Sequence, residues 1–442
     1  MPLPPLPGLL DESLETALRA RQRRVWVAAN DRFDLRALTA AEEPVERAIV
    51  ASRLYGAQAR DALDTFLQSC EAQDDSGWRF LRLAHSLQVG SHDASLLAEQ
   101  YIATDWMAVR DAYWHFPVQE NIFDRSAAPL TPLFDSTDPA VQALAVELAG
   151  RLGDKAAEAR LIDKVGAGHQ VAGSLLALAR MGRVHPRHAP LVQLHLQSPL
   201  QHVRSWAIEV AVTLGRGDWL KPWDRLVDLD DAPQDAPMLA WGAWAALDSR
   251  AAADAALHAT GLPLGLRMRV IALTGHPDAL VVAMGWIAED ADPVQPAAAD
   301  VLHLALGHMP PEAKARPQDA GRKSDALRTR LLDVLRRAHV PIRNDADRAP
   351  WTVDAILQTS DQTRAVRIRA GHRLVSGRQT FPECLPDLTH PLREWIFRER
   401  ALVSGQPVSL SAWDAARRQN LAMALAAAAA EVEDVDPLAA HG

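Results

Sequence analysis

One pattern occurs twice in this sequence, and it constrains the fold more than any other feature. The stretch VQALAVELAGRLGD, Val141–Asp154, aligns with VRSWAIEVAVTLGRGD, Val203–Asp218. In both copies small alanines and larger aliphatic residues recur at helical spacing, and a Leu-Gly pair closes the run. Pro139 and Pro199 precede the copies and suit the first turn of a helix. The pattern therefore predicts helices that begin at a proline and end at a glycine in the left-handed conformation.

Fainter copies of the pattern end at Gly182, Gly275 and Gly307. The predicted helix ends recur roughly every 27 to 33 residues, which is the length of two short helices and two turns. A helical hairpin of this size cannot bury its apolar face alone, so successive hairpins must stack. We therefore predict an all-α chain that forms an α-solenoid of helical hairpins, with a divergent helical region at the N-terminus.

The order Asp-Pro, Val, Ala, Leu-Gly resembles HEAT repeats. The resemblance is specific at Asp138–Gly153 and Val203–Gly215, and weaker matches extend it from Asp138 to about Gly307. It implies HEAT-like hairpins that offer an extended concave surface to other proteins.

Proline, glycine and charge divide the chain into five predicted regions. They are an N-terminal helical region (1–75), a HEAT-like array (76–306), a polar loop with an inserted helix (307–348), C-terminal helical repeats (349–419) and a disordered acidic tail (420–442). In the first region, residues 11–29 and 42–72 are predicted as two long helices. In the fourth, TRAVRIRAGHRLVSG and PLREWIFRERALVSG are predicted to resume the array.

The composition argues against several classes of protein. The formal net charge is −9, whereas sequence-independent binding to nucleic acid needs a surplus of Lys and Arg. Cys70 and Cys384 form no CxxC motif, a usage that fits a reducing compartment. The first residues lack a cationic segment followed by an apolar run, and no apolar run reaches about 18 residues. We expect a cytoplasmic protein that does not span a membrane.

Catalytic motifs are not found in the sequence. There is no G-x-S-x-G, no G-x-x-x-x-G-K-[ST], and no histidine pair with the spacing of a zinc site. The tripeptide His276–Asp278 lies between two apolar segments, and we predict that it forms a turn between helices. The sequence therefore predicts no catalytic residue, no cofactor and no metal.

Tryptophan is unusually frequent, with 13 residues against 3 Tyr and 8 Phe. Trp106 and Trp114 fall in one aromatic cluster, and Trp241 and Trp244 share a helix face at i, i+3. Tryptophan is well buried on average but also dominates interface hot spots. We take these four as candidate partner-binding residues, and the alternative that they form the core stays open.

The C-terminal third carries a local excess of arginine. Arg364, Arg367 and Arg373 fall in one predicted helical region, and Arg393 and Trp395 fall in the next. Such a set forms either a solvated face or a docking patch for an acidic partner. We include these five residues among the candidate partner-binding residues.

Two classes of function are compatible with these observations. The first is a non-catalytic protein–protein interaction scaffold. The second is an enzyme on a HEAT-like frame, either similar to a DNA glycosylase, which cradles duplex DNA in a basic groove, or similar to a bilin lyase, which holds a linear tetrapyrrole. We favour the scaffold, because the net charge argues against the basic groove and no catalytic motif supports an enzyme.

The layout is also similar to an uncharacterised proteobacterial family of HEAT-like proteins that are often encoded beside type VI secretion spike and effector genes. The similarity rests on the helical N-terminal region, the units near Asp138–Asp154 and the stretch HPLREWIFRERALVSGQPVSLSAW at 390–413. It implies a cytoplasmic adaptor that holds a secreted effector or a spike component.

Overall fold

The computed structural model describes residues 9–29, 34–69, 76–89, 93–115, 130–221, 237–289, 296–307, 320–358, 360–374, 384–407, 410–411, 416, 419–421 and 423–424. Over these residues the chain is all-α apart from one two-stranded sheet and an isolated bridge. It divides into two compact units, of which unit 1 takes residues 1–30, 36–190 and 409–419, and unit 2 takes 31–35, 191–408 and 420–442. The division therefore falls within the predicted array of residues 76–306.

In unit 1, helices pack against their neighbours in the sequence and also against the helix two positions further along the chain. α4 packs against α1 and α5, and α7 and α8 both pack against α9. The helices are Leu9–Ala29 (α1), Leu35–Tyr55 (α2), Ala57–Ser69 (α3), Ser76–Val89 (α4), Asp93–His115 (α5), Thr131–Asp135 (α6), Pro139–Leu152 (α7), Glu158–Gly166 (α8) and Val171–Arg180 (α9).

In unit 2, α14 packs against α12 and α16, and α20 packs against α11 and α12. Helix α10, Ala189–Leu196, begins at the division between the units. The further helices are Gln201–Thr213 (α11), Pro237–Leu247 (α12), Ser249–His258 (α13), Leu264–Thr274 (α14), Pro277–Glu289 (α15), Pro296–Leu306 (α16), Ala320–Arg337 (α17), Val353–Ile356 (α18), Asp361–Ala365 (α19) and His390–Ser404 (α20).

The repeated pattern predicts that helices end at glycines in the left-handed conformation, and this prediction is confirmed. All five glycines have a positive φ, which a residue with a Cβ adopts only under strain, namely Gly153, Gly182, Gly215, Gly275 and Gly307. The predicted turn at His276 is confirmed as well, because α14 ends at Thr274 and α15 begins at Pro277. Pro199 is not in the first turn of α11, which begins two residues later at Gln201.

Asp138 begins α7 as an N-cap, since its carboxylate accepts a hydrogen bond from the backbone N–H of Ala140 at 2.8 Å. Replacing Asp138 with alanine should destabilise unit 1 by about 1 kcal/mol, because the first turn of the helix loses this acceptor. Urea unfolding followed by circular dichroism would measure the loss. Asp163→Ala, at an exposed position on α8, is the matched control, and an equal loss in both variants would contradict the capping role.

Two helix predictions differ from the structure. The helix predicted over residues 42–72 is interrupted, because Gly56 has a φ of +52° and separates α2 from α3. The helix predicted for TRAVRIRAGHRLVSG is wrong over most of its length. Ala370 and Gly371 both have positive φ, and this pair forms the two-residue turn of an antiparallel hairpin, with strands Ile368–Arg369 (β1) and His372–Arg373 (β2).

The inserted helix predicted within residues 307–348 is present as α17, Ala320–Arg337. The predicted disordered tail, residues 420–442, lies outside the described residues beyond position 424.

Candidate interaction sites

Three side chains on one face of α5 form what we call the α5 ladder: Trp106, Arg110 and Trp114. They lie at i, i+4 spacing, so each stands one turn from the next. The guanidinium carbon of Arg110 lies 4.8 Å from the centre of the Trp106 ring and 4.2 Å from the centre of the Trp114 ring. A cation in these positions is attracted to the faces of both indoles. The ladder therefore fixes the orientation of Trp106 relative to the rest of α5.

The inner end of the α5 ladder is enclosed by unit 1. Trp114 is buried, and the guanidinium carbons of Arg151 and Arg24 lie 4.9 Å and 5.6 Å from the centre of its ring. Burial lowers the pKa of Arg110, while the charges of Asp111 and Glu147 raise it. The guanidinium stays charged, because an arginine is not deprotonated in a protein. The indole of Trp114 is thus surrounded by partly desolvated cations, which strengthens its attraction to them.

Beneath Trp114 lies a buried ionic cluster of Arg21, Arg24, Glu42 and Asp111. The Nε of Arg24 lies 2.8 Å from Glu42, and Arg21 lies 3.3 Å from Asp111. Glu42 also accepts a hydrogen bond from the backbone N–H of Ala416 at 2.6 Å. All four side chains are almost fully enclosed. Charges in such surroundings need their partners, because an unpaired buried ion costs several kcal/mol.

The outer end of the α5 ladder lies at the surface. Trp106 is 49% exposed and follows a break in α5 at Asp105, whose φ of −157° and ψ of 67° are not helical. The carboxylate of Asp105 accepts a hydrogen bond from the backbone N–H of Ala108 at 3.0 Å and so caps the second half of the helix. The break and the ladder together place a large, half-exposed indole at the start of the second half of α5.

In unit 2 the predicted tryptophans lie inside the protein. Trp241 and Trp395 are at most 1% exposed, and Trp244 is half-buried with its ring 5.2 Å from that of Trp241. The ring of Trp395 lies directly over Gly242, where a side chain would collide with it. We therefore remove Trp241 and Trp395 from the candidate binding surface, because burial leaves them no contact with a partner.

Two of the four predicted arginines also point into unit 2. Arg393 is 2% exposed and donates to the backbone oxygen of Leu388 at 2.8 Å. Arg367 is half-buried and donates to the backbone oxygens of Thr274 at 2.7 Å and Leu273 at 3.0 Å. Arg367 thus binds the C-terminal end of α14, and Arg393 binds a backbone oxygen just before the start of its own helix, α20. Arg364 and Arg373 remain exposed.

Arg369, on β1, was not among the predicted site residues, and it forms a buried ion pair. Its guanidinium is bidentate to Glu399 of α20 at 2.5 and 3.1 Å and also donates to Leu273 at 2.8 Å. Spacing along the sequence gives no sign of this pair, because its partners come together through the tertiary fold.

The start of α20 is held by a buried carboxylate of α16. Asp300 accepts hydrogen bonds from the backbone N–H of Thr389 at 2.9 Å and from its hydroxyl at 2.5 Å. Arg269 lies 3.0 Å from the same carboxylate. Burial raises the pKa of Asp300, and the charge of Arg269 opposes that rise. This contact and the Arg369–Glu399 pair attach the C-terminal segment of unit 2 to the helices beneath it.

Over the ranges that the structure describes, no three His, Cys, Asp or Glu side chains are grouped so that they could hold a metal ion. In the same part of the chain, every helix is too short or too polar to cross a membrane. No protein-family model, curated protein or solved structure matches this chain.

Proposed function

We propose that the protein is a non-catalytic scaffold that binds a protein partner through Trp106. The observation that carries the proposal is the α5 ladder, which holds a 49% exposed indole in one orientation. A rigid aromatic side chain loses little conformational entropy on binding, and Trp and Arg dominate interface hot spots. Trp106 and Arg110 combine both residue types at one place on the surface of unit 1.

The finer architecture that we propose is an α-solenoid of HEAT-like hairpins. The packing within each unit supports it, because α7 contacts α9, and α14 contacts α12 and α16. Contact between alternate helices is typical of stacked hairpins, in which each repeat touches its neighbours. The five glycines with positive φ at helix ends support the same arrangement.

The specific role that we propose is that of a cytoplasmic adaptor for type VI secretion, which holds an effector or a spike component before loading. The similarity of layout described for residues 390–413 and the repeat near Asp138–Asp154 supports this role. It is a narrower proposal than the scaffold, and it can fail while the scaffold stands.

The test is affinity capture of the full-length protein from its native host, followed by mass spectrometry. We expect one or more proteins to be recovered with the wild type and reduced at least about tenfold with Trp106→Ala, because hot-spot truncations cost 2 kcal/mol or more. The matched control is Trp26→Ala, since Trp26 is an indole of unit 1 that is 58% exposed.

The outcomes distinguish the proposed scaffold function from the narrower role in type VI secretion. A partner that is lost with Trp106→Ala and kept with Trp26→Ala supports the scaffold. Spike or effector proteins in that set support the secretion role, and other proteins in their place overturn that role alone. A bound small molecule with no protein partner would overturn the scaffold.

A further inference from the structure

In unit 2 the turn of the β1–β2 hairpin is attached to the C-terminal end of α16. The backbone N–H of Ala370 donates to the carbonyl of Leu304 at 2.6 Å, and that of Gly371 donates to the carbonyl of Ala305 at 2.9 Å. The last carbonyls of a helix have no partner within the helix. These two hydrogen bonds satisfy such acceptors and give the turn a defined position on α16.

Two arginines of α17 lie beside this turn. Arg330 donates to the carbonyl of Leu306 at 3.0 Å, and the same oxygen lies 3.0 Å from the position that a Cβ would take at Gly371. A terminal nitrogen of Arg337 lies 3.6 Å from that position. The two residues that follow the turn form β2, and both are exposed. We call the four cationic side chains the hairpin patch: Arg330, Arg337, His372 and Arg373.

Positive charge exceeds negative charge in the hairpin patch. Within the parts of the chain that the structure describes, neither Arg337 nor Arg373 forms an ion pair, although both are exposed. The carboxylate one turn before Arg337 is that of Asp333, and it pairs with Arg336 at 3.5 Å. Burial and the charge of Arg337 lower the pKa of Arg330, while the charge of Asp333 raises it. The cations of the patch therefore repel one another, and an anion bound among them would relieve that repulsion.

We infer that the hairpin patch is a docking surface for an acidic segment of a partner protein, whose carboxylates bind Arg337 and Arg373. A guanidinium is always charged and binds a carboxylate through two parallel hydrogen bonds, so it suits this partner. Of the arginines predicted from the sequence as a docking patch, the hairpin patch contains Arg373 alone, and α17 supplies the others. The inference goes beyond the role proposed for Trp106 and does not depend on it, because Trp106 belongs to unit 1.

The small size of the hairpin patch favours an acidic peptide over nucleic acid. Nucleic acid binds through many evenly spaced phosphates that are neutralised together, and this requires a long track of cations. The exposed arginine next to Arg337 is Arg336, and it already pairs with Asp333 and Asp347. The formal net charge of −9 also opposes a long polyanion. A few carboxylates on a short segment match the few cations that are available.

The probe is a fluorescein-labelled octapeptide of alternating Glu and Asp, titrated with the full-length protein and followed by anisotropy. We expect saturable binding tighter than about 1 mM at low salt, and weaker binding at high salt, because salt screens exposed charges. An octapeptide of alternating Gln and Asn is the matched control and should not bind. Equal binding of the two peptides, or no saturation with the acidic one, would overturn the inference.

Substitutions test where the peptide binds. Arg337→Gln should weaken binding by about threefold, and Arg337→Gln with Arg373→Gln by at least about tenfold, because each change removes a charged donor. Both positions are exposed, so thermal unfolding should be unchanged. Arg322→Gln makes the same change of net charge at an exposed position of α17, about 22 Å along the helix axis from Arg337, and should leave the affinity unchanged. Equal losses with Arg322→Gln and Arg337→Gln would show that net charge alone is responsible and would contradict the inference.

Three further measurements distinguish an acidic partner from other occupants. The chain carries its own acidic stretch, EVEDVD at 431–436. Neutralising its four carboxylates with Gln and Asn should leave the peptide affinity unchanged, and a gain of more than about threefold would assign the patch to the chain itself. A single-stranded octanucleotide should bind more weakly than the acidic peptide, and tighter binding would overturn the assignment to a protein. Trp106→Ala should bind the peptide like the wild type, so peptide binding and Trp106-dependent capture can fail independently.

Discussion

Replacing Glu42 with alanine should destabilise unit 1 by about 3–5 kcal/mol, the usual cost of removing one partner of a buried ion pair. Arg24 is 2% exposed and lies 2.8 Å from Glu42, so water cannot take the place of the lost carboxylate. The backbone N–H of Ala416 loses its acceptor in the same variant. Urea unfolding followed by far-ultraviolet circular dichroism measures the change.

The neighbouring residue provides the control. Glu43 pairs with Arg47 at the surface, where both side chains are more than half exposed. Glu43→Ala should therefore cost less than about 1 kcal/mol. If the two variants lost similar stability, the ionic cluster would contribute no more than a surface ion pair, and the prediction would be wrong.

The second large effect is expected at Gly242 of α12. Gly242→Ala should destabilise unit 2 by about 3 kcal/mol, because the new Cβ would lie 2.2 Å from the ring of Trp395. That ring is 1% exposed, so the residues packed around it oppose a shift away from the new methyl group. Thermal unfolding in a calorimeter would show a lower transition temperature for the variant.

Two comparisons make the result specific to this contact. Gly261→Ala also lies in unit 2, but a Cβ there meets no atom within 4 Å, so stability should change little. Trp395→Leu combined with Gly242→Ala should lose less stability than the sum of the single variants, since the smaller side chain removes the collision. Additive losses would show that the damage has another cause.

The helical repeat could be predicted because its signals are local. Glycines at helix ends and prolines near helix starts act within one turn, and the positive φ of Gly153 and Gly275 follows from that local chemistry. The hairpin at Ile368–Arg373 was missed for the opposite reason. Its arginines and aliphatic residues suit a helix as well as a strand. The hydrogen bonds that favour the strand come from the ends of α14 and α16, which lie about ninety and about sixty-five residues earlier in the sequence.

Only part of the candidate site could be predicted from the sequence. The spacing of Trp106, Arg110 and Trp114 was visible as i, i+4 and could have indicated the α5 ladder. Which tryptophans are buried could not be predicted, because the burial of Trp241 and the exposure of Trp106 depend on the helices that pack around each of them. Arg393 and Arg364 differ in the same way, since one faces a backbone carbonyl and the other faces solvent.

The hydrogen bond from Ala416 to Glu42 has a consequence for biosynthesis. Unit 1 is assembled from residues early in the chain and from residues 409–419, with unit 2 encoded between them. A ribosome releases the chain from its N-terminal end, and domains fold as their residues emerge. Glu42 therefore has Arg24 beside it long before Ala416 has been synthesised. This contact within the first unit can form only after residues 191–408 have been translated.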